Sequence, residues 1–334
     1  MAESKLDWRR VPGPVASCCR SLWEAGYQAY PVGGCVRDLL LGRSPGDWDA
    51  ATSALPQEIQ ALFPHTLPTG LKHGTVTVLL EDMAVEVTTF RGESGYSDGR
   101  HPDAVVFGVG LEADLARRDF TINAMALAPD GAVIDRFGGL SDLKAGYIRC
   151  VGDPDQRFRE DALRMLRGIR FAAQLGFSLE AATLAALTRN APGLDKVSGE
   201  RVKVELEKLL LSTRPQLAAL PVELGMLQRF GAEEACPDLS FLQDLPLAPE
   251  VRWRAFCRTT GLDIASLPVE RRIRRAVLRE ERPQPALSGG DLYRLGLRGR
   301  EIGRTLRALE VHIAAHPEEN TQEALLLLVK RARL

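Results

Sequence analysis

The sequence predicts an α+β protein, in which an N-terminal mixed sheet with helices is followed by an all-α remainder. Two observations lead to this division. Up to about residue 150, short β-branched runs alternate with single helical segments and hairpin signals. Beyond Pro154 helical spacing dominates, and convincing strand alternation does not return. At ~150 residues per domain, the chain is long enough for about two domains.

The first elements are predicted from apolar spacing and from glycine. Residues 15–25 have helical spacing and end at Gly26, which suits a helix C-terminus. Residues 30–32 form a predicted buried strand, followed by a double-glycine turn and a short helix that carries Arg37. A second strand is predicted to carry Asp47 and Asp49, whose i, i+2 spacing would place both carboxylates on one face.

Residues 75–80 and 84–90 are β-branched runs that predict a hairpin, with Glu86 on the face opposite its apolar neighbours. Residues 91–102 are polar and glycine-rich and predict a mobile loop. Residues 117–126 are predicted to begin another helix. Further on, residues 158–175, 179–190 and 200–211 are predicted helices.

Composition and charge narrow the class of protein. The chain is 45% hydrophobic and 26% charged, and no apolar run approaches the ~18–20 residues that cross a bilayer. The N-terminus lacks the apolar core of a signal peptide, so we expect a soluble cytoplasmic protein without a membrane partner. Residues 251–334 hold 17 Lys and Arg against 10 Asp and Glu, whereas the rest of the chain is net acidic. This basic C-terminal region suits the binding of a polyanion, although its arginines could equally lie on a solvated helix face.

Cysteine and histidine add no further site. The six cysteines contain no Cys-x-x-Cys pair and are interpreted as buried free thiols. The five histidines show no His-Glu-x-x-His or similar metal spacing, and none lies beside an obvious nucleophile.

The stretch from Gly33 to Asp49 carries the strongest chemical signal. Gly33 and Gly34 would let the backbone approach a polyphosphate, and Arg37 could bind phosphate with a forked pair of hydrogen bonds. Asp47 and Asp49 could hold one divalent cation, Mg²⁺. Together these features suggest nucleotidyl transfer, although Asp-x-Asp alone is often a solvated turn. Glu86 is a candidate third carboxylate, and an outward-facing strand glutamate is an equal alternative.

Two further groups are candidates for nucleotide contact. Arg118 or Asp119 could face the sugar or the phosphates, although Asp119 could instead cap a helix between solvated arginines. On the predicted helix 158–175, an acidic and basic stripe follows a spacing of three residues: Asp161, Arg164, Arg167 and Arg170. Carboxylate and guanidinium groups match the donor and acceptor edges of cytosine and adenine. A salt-bridge ladder on a surface helix is the alternative.

An ordered set of motifs over about residues 28–212 resembles the bacterial class II tRNA nucleotidyltransferases, the CCA-adding enzymes, and their relatives the bacterial poly(A) polymerases. The set comprises Gly33-Gly34-x-x-Arg37-Asp38, Asp47-x-Asp49, Val85-Glu-Val-Thr-Thr-Phe-Arg91, Arg117-Arg-Asp-Phe-Thr-Ile-Asn-Ala-Met-Ala126, Glu160-Asp-x-x-Arg164 and Ser198-Gly-Glu-Arg201 with Glu205. No single motif is decisive, but their order is highly specific.

The resemblance implies a catalytic nucleotidyltransferase-type head (1–150), a helical neck (151–212) and an RNA-binding helical body and tail (213–334). It implies that Gly34, Arg37, Asp47 and Asp49 bind Mg²⁺ and triphosphate, and that Arg118 contacts the nucleotide. Asp161 and Arg164 would read the incoming base, with Arg167 and Arg170 nearby. The loop 91–102 would take part in the switch from adding C to adding A, and the basic C-terminal region would hold the tRNA.

These expectations combine into template-independent addition of C, C and A to the 3′ end of tRNA. CTP and ATP would be the substrates, with Mg²⁺, and pyrophosphate would leave. No separate protein base is assigned, because the metal can lower the pKa of the attacking hydroxyl. The alternatives are an A-adding enzyme, a poly(A) polymerase and, in a different class, a non-catalytic RNA-binding protein.

Overall fold

The computed structural model describes residues 5–80, 83–95, 104–233, 237–278 and 284–331. Contacts divide the chain into two units, Met1–Arg274 and Arg275–Leu334. Within the described ranges, no helix combines the length and the apolar character needed to span a membrane. The five cysteines in these ranges are buried and unpaired, as predicted.

Eleven short strands lie among the described residues of the first unit. In chain order they are β1 (Ala29–Val32), β2 (Asp49–Thr52), β3 (Thr66–Gly70), β4 (Thr75–Leu80), β5 (Met83–Thr89), β6 (Arg91–Ser94), β7 (Ala104–Phe107), β8 (Met125–Leu127), β9 (Val133–Asp135), β10 (Tyr147–Ile148) and β11 (Ser178–Leu179). Seven of them form one sheet in the order β3-β4-β5-β2-β1-β8-β9. Strands β2 and β5 are parallel and the other neighbours are antiparallel, so the predicted mixed sheet is confirmed.

The helices of the first unit are α1 (Gly13–Glu24), α2 (Gly34–Leu40), α3 (Pro56–Leu62), α4 (Leu111–Ala116), α5 (Gly139–Ala145), α6 (Pro154–Glu160), α7 (Leu163–Leu175), α8 (Ala181–Asn190), α9 (Gly199–Leu210), α10 (Ala219–Glu223) and α11 (Pro249–Thr260). Helix α12 (Arg271–Leu278) contains the boundary between the units. The second unit holds α13 (Gly289–Arg294), α14 (Arg300–Ala315) and α15 (Gln322–Arg331).

Side chains along the strands alternate between the two faces of the sheet, and those on one face form the core. In the β4–β5 hairpin, the buried side chains are those of Val76, Val78, Val85 and Val87. They pack in one cluster with apolar residues of α1 and α2. Burying each of these valines contributes about 1.5–3 kcal/mol, so the face they occupy is fixed. Glu86 is exposed on the opposite face, as its alternation predicts.

Helix α7 packs against α9, and this pair forms the second wall of the site described below. Met165, Leu166 and Ile169 are buried at helical spacing on α7. On α9 the buried apolar residues include Val202 and Leu206. The arginines of α7 are therefore carried on a helix whose position is fixed by its apolar face.

Two predicted helices differ from the structure. Residues 117–126 do not begin a helix, because Thr121–Asn123 form one 3-10 turn and the chain then enters β8. Pairing of β8 with β1 and β9, which buries its residues completely, overrides the helical propensity of the segment. The predicted helix 158–175 is broken between α6 and α7. Asp161 lies at the break with extended backbone, φ −147° and ψ 103°, and its Oδ1 accepts a hydrogen bond from the Leu163 amide at 3.1 Å.

Three further predictions need correction. Asp47 precedes β2 instead of lying in it, so strand alternation does not place it on the face of Asp49. Residues 91–94 of the predicted loop form β6, paired with β7. The centre of that loop, with Tyr96, Asp98 and Arg100, lies outside the described residues. The region predicted as all-α contains β11, which runs parallel to β10.

The second unit has a small apolar core of its own. Its members come from the segment before α13, from α13, α14 and α15, and from the loop between α13 and α14, namely Leu287, Leu292, Leu297, Leu309, Ile313, Leu325 and Val329. The boundaries near residues 150 and 212 stay predictions.

Candidate active site

A cleft of about 580 Å³ lies in the first unit, between α2 and the start of β2 on one side and α7 with α9 on the other. Eleven of the twelve predicted site residues line it: Gly33, Gly34, Arg37, Asp47, Asp49, Arg118, Asp119, Asp161, Arg164, Arg167 and Arg170. Glu86 is the one predicted site residue, itself described, that is not part of the lining. The lining also includes Asn123, Phe171, Arg201 and Lys208.

The charge of this lining favours an anion. Eight Lys and Arg side chains face five aspartates, so the cleft carries an excess of positive charge. Clefts with one dominant sign of charge concentrate ligands of the opposite sign. A polyphosphate is an anion of suitable size and charge for this cleft.

Gly33 brings the backbone against Arg118 and Asp49. Its φ is +80°, a conformation that side chains rarely adopt, and a Cβ there would lie 2.7 Å from Arg118 Nη1. The same Cβ would lie 3.9 Å from Asp49 Oδ2. Arg118 Nη2 donates to buried Asp114 at 3.2 Å, while its Nε is buried without a hydrogen-bond partner among the described residues. That orphaned donor fits a ligand oxygen, because buried polar groups are rarely left unpaired.

Asp49, at this end of the cleft, has a raised pKa. Burial raises the pKa of Asp49; the Arg118 charge opposes the shift, while Glu86 and Asp47 add to it. Asp49 and Glu86 are register partners on the parallel strands β2 and β5. In the described part of the chain, Asp47, Asp49 and Glu86 do not close into a three-ligand group. A divalent cation bound by Asp47 and Asp49 would relieve this repulsion, and carboxylate oxygens are ligands that Mg²⁺ prefers.

Asn123, which was not among the predicted site residues, connects Arg37 of α2 to Asp119. Its Oδ1 accepts from Arg37 Nη1 at 2.7 Å, and its Nδ2 donates to Asp119 Oδ1 at 3.2 Å. Arg37 Nε also donates to Asp38 at 2.9 Å. The guanidinium of Arg37 is therefore oriented on two edges before any ligand binds.

Asp119 connects this network to α7. Its Oδ2 accepts hydrogen bonds from Arg167 Nε at 2.9 Å and Nη2 at 2.6 Å. Burial alone would raise the pKa of Asp119, but the charge and the hydrogen bonds of Arg167 hold it at about 2. Asp119 is a buried anion held by the structure, and its carboxylate is already engaged by protein donors.

Helix α7 presents three arginines in succession. Arg170 Nε donates to Glu205 on α9, and its Nη1 donates to Gln174 at 2.7 Å. The Phe171 ring lies 3.9 Å from the guanidinium carbon of Arg170 and 5.5 Å from that of Arg167. Stacking on this ring and pairing with Glu205 make Arg170 a buried support of the cleft wall.

Asp161 and Arg164 face the cleft but are held by different partners. Arg201 donates two hydrogen bonds to the Asp161 carboxylate, at 3.1 and 2.7 Å. Arg164 Nη1 donates to Glu160 at 2.6 Å, and its Nη2 donates to the Arg117 carbonyl at 3.2 Å. The predicted continuous stripe is therefore wrong for Asp161, which lies before α7, while both side chains still share the cleft.

Comparison with known proteins agrees with this geometry. The family described as "Poly A polymerase head domain" matches residues 29–149, and the family described as "Probable RNA and SrmB- binding site of polymerase A" matches residues 176–230. Both matches are to parts of poly(A) polymerases, so the chain is similar to that class of nucleotidyltransferase.

Individual relatives carry the name CCA-adding enzyme. The relative from Limosilactobacillus fermentum is 50% identical over 255 residues, 75% of this chain and 64% of its own length. The relative from Limosilactobacillus reuteri is 54% identical over 202 residues, 60% of this chain and 50% of its own length. The chain thus spans between half and two thirds of these curated relatives.

A solved structure completes the comparison. The crystal structure of the Bacillus stearothermophilus CCA-adding enzyme in complex with CTP is 31% identical, with a TM-score of 0.65. The match covers 96% of this chain and 97% of that one. The chain belongs to the CCA-adding enzyme family, whose members are nucleotidyltransferases that generally use a divalent metal ion.

Proposed function

We propose that this protein adds C, C and A to the 3′ end of tRNA in the cytoplasm, using CTP and ATP and releasing pyrophosphate. The observation that carries the proposal is the single cleft in which Asp47 and Asp49 lie with Arg37, Arg118 and the α7 arginines. The relative from Bacillus stearothermophilus, similar over nearly its whole length, was solved with CTP.

Asp47 and Asp49 would hold Mg²⁺, since both line the cleft and carboxylate oxygens are ligands that Mg²⁺ prefers. Burial, together with the charges of Glu86 and Asp47, raises the pKa of Asp49, and a cation there would offset that charge. When bound, such an ion lowers the pKa of the attacking ribose hydroxyl and neutralises charge on the leaving pyrophosphate. Glu86 lies beside Asp49 on the neighbouring strand, from which its charge acts on Asp49.

Phosphate binding is assigned to Gly33, Gly34, Arg37 and Arg118. Without a Cβ, the two glycines would let a phosphate approach the backbone where α2 begins. The Arg37 guanidinium is oriented by Asn123 and Asp38. The buried Nε of Arg118, unpaired within the described residues, supplies a donor that the protein itself does not use. Forked guanidinium donors suit phosphate oxygens.

Base selection is assigned to Asp161 and Arg164. A carboxylate accepts and a guanidinium donates, which matches the Watson–Crick edges of cytosine and adenine. Arg201 and Glu160 orient these two side chains, while Arg167 and Arg170 brace the wall through Asp119 and Glu205. Protein groups would thus replace a nucleic-acid template.

The division into a catalytic head (1–150), a neck (151–212) and an RNA-binding body and tail (213–334) belongs to the same proposal. Residues 251–334 hold 17 Lys and Arg against 10 Asp and Glu, which suits contact with the phosphates of tRNA.

The test is extension of a tRNA that lacks its three terminal nucleotides. With Mg²⁺, CTP and ATP, we expect a product longer by three nucleotides, and by two with CTP alone. An A-adding enzyme would extend only a tRNA that already ends in CC, and a poly(A) polymerase would use ATP alone to make long products. No extension of any RNA would contradict the proposal, and a non-catalytic RNA-binding protein would then be the remaining hypothesis.

Variants test the metal ligands. Asp47→Asn and Asp49→Asn should each lower kcat at least ~100-fold, because several kcal/mol of charge stabilisation are lost. Asp130→Asn, which removes an exposed aspartate from a turn of the same sheet, is the matched control and should leave kcat unchanged. Equal activity of Asp47→Asn and Asp130→Asn would refute the assignment of Asp47.

A further inference from the structure

A second group of metal-ligand side chains lies in the second unit. His316, Glu318 and Glu319 each offer one ligand atom, and these atoms lie within 4.8 Å of one another. His312 adjoins them, with its ring centroid 5.0 Å from that of His316. His312 and His316 are four residues apart, the separation that places two imidazoles on one side of a helix.

The backbone fixes this group at the end of α14. His316 N donates to the His312 carbonyl at 2.9 Å, and Glu319 N donates to the His316 carbonyl at 3.1 Å. Residues Pro317–Glu319 form a 3-10 turn directly after the helix. All four side chains therefore come from eight consecutive residues in a closed local structure.

The separation of His316 and Glu318 suits a first-row transition ion. Two ligands of a tetrahedral zinc ion, each about 2.0–2.1 Å from the metal, lie about 3.4 Å apart. His316 Nδ1 and Glu318 Oε1 are 3.6 Å apart. His312 Nε2 lies 2.7 Å from Glu319 Oε2, a hydrogen bond that orients this carboxylate as neighbouring residues do for metal ligands.

Ion pairing of His312 with Glu319 and of His316 with Glu318 is the simpler explanation. It joins the side chains in two separate pairs, whereas the ligand atoms of His316, Glu318 and Glu319 all lie within 4.8 Å of one another. A divalent cation could bind all three atoms and offset the charge of the carboxylates, and the imidazole favours transition ions over Mg²⁺.

We propose that His316, Glu318 and Glu319 bind one Zn²⁺-class ion, with His312 positioning Glu319. The ion would join the last turn of α14 to the 3-10 turn that follows it. Leu309 and Ile313 of the same helix belong to the core of the second unit, so metal binding there would stabilise that core. This proposal is independent of nucleotide transfer.

The experiment is a Zn²⁺ titration of the full chain carrying Asp47→Asn and Asp49→Asn, which removes the proposed ligands of the cleft. Calorimetry should give one site per chain, and Co²⁺ should give the visible absorption of a low-symmetry site. His316→Ala or Glu319→Gln in this background should weaken binding by at least ~10-fold, and His312→Ala by about 10-fold.

Two matched controls separate this site from general surface binding. Glu323→Gln removes an exposed carboxylate from the same unit, and His65→Ala removes an exposed imidazole from the other unit. Both should leave the Zn²⁺ affinity unchanged. Zn²⁺ should also raise the melting temperature of the background protein but not that of its folded His316→Ala form.

Three results would overturn the proposal. They are absence of Zn²⁺ binding by the background protein, unchanged affinity in the combined His316→Ala and Glu319→Gln variant, and displacement of Zn²⁺ by an equal concentration of Mg²⁺. Circular dichroism of each variant confirms folding before titration. If His316→Ala fails to fold, Glu319→Gln, which removes a charge and keeps the shape of the side chain, replaces it in the test.

Discussion

Arg167 and Asp119 are joined by two hydrogen bonds, of 2.9 and 2.6 Å, although 48 residues separate them in the chain. The pair connects α7 to the turn that precedes β8. Through Asn123, the same contact continues to Arg37 at the start of α2. The two walls of the cleft are therefore held together by one buried network.

Replacing Asp119 by alanine should destabilise the protein. Removing one partner of a buried ion pair leaves the other charge uncompensated, and because Arg167 remains 35% exposed we expect about 3 kcal/mol. Urea unfolding measures the loss. The control is Asp155→Ala, which breaks the exposed pair with Arg189 and should cost much less stability, because exposed ion pairs contribute little. Equal losses in the two variants would show that the buried pair has no special role.

The same carboxylate predicts a pH dependence of stability. The pKa of Asp119 is about 2 in the folded protein against 3.8 for an ordinary aspartate. Since folding lowers the pKa, the stabilisation is present above pH ~4 and is lost as the pH falls through ~2. Its size is about 2 kcal/mol, of which about 1 kcal/mol is lost by pH 3. Urea unfolding at pH 5 and pH 3 should show this additional loss in the wild type and not in Asp119→Asn.

A methyl group at Gly33 should displace Arg118 from its position beside Asp49. In Gly33→Ala the new Cβ would lie 2.7 Å from Arg118 Nη1. We expect KM for the nucleotide to rise about tenfold, a loss of ~1.4 kcal/mol in binding. Gly26→Ala is the matched control, because its φ is +90° and nothing lies within 4 Å. Both variants should lose about 1–2 kcal/mol of stability to backbone strain. Only Gly33→Ala should change KM. An equal change in both variants would show that the contact between position 33 and Arg118 does not determine nucleotide binding.

Removing Arg201 should relax base selection. Arg201 holds the Asp161 carboxylate with two hydrogen bonds, so Arg201→Ala leaves that group without its orienting partner. We expect the preference for CTP and ATP over UTP and GTP, measured as kcat/KM ratios, to fall about tenfold. Arg189→Ala breaks a similar but exposed pair with Asp155 and should leave the ratios intact. A uniform fall for all four nucleotides would argue against a role of Asp161 in selection.

Local signals in the sequence were enough to identify most of the residues that meet in the cleft. Gly33 and Arg37 directly follow a buried strand, and only one short helix separates them from Asp47 and Asp49. Because these residues are close in the sequence, their proximity in space can be predicted without knowing the rest of the fold. The hairpin of β4 and β5, with Glu86 facing outward, follows from alternation alone.

What the sequence could not supply depends on distant partners. Asp161, at the break between α6 and α7, accepts hydrogen bonds from Arg201, which is 40 residues away in the chain, and the helical spacing of residues 158–175 gives no sign of this contact. Asn123 gains its role from Arg37, 86 residues earlier, in a segment whose composition resembles a helix. The 3-10 turn and β8 form there because β1 offers a pairing edge, which is a property of the folded sheet.

The order in which the cleft residues occur in the chain has a consequence for synthesis on the ribosome. The carboxylates of Asp47 and Asp49 emerge early, whereas α7 and the last lining residue, Lys208, follow much later. At about 5–20 residues per second, this delay lasts roughly ten seconds or more. During that interval the nascent chain has its proposed metal ligands but lacks the residues that would choose a nucleotide. The proposed selection of the base would begin only once α9 has left the exit tunnel.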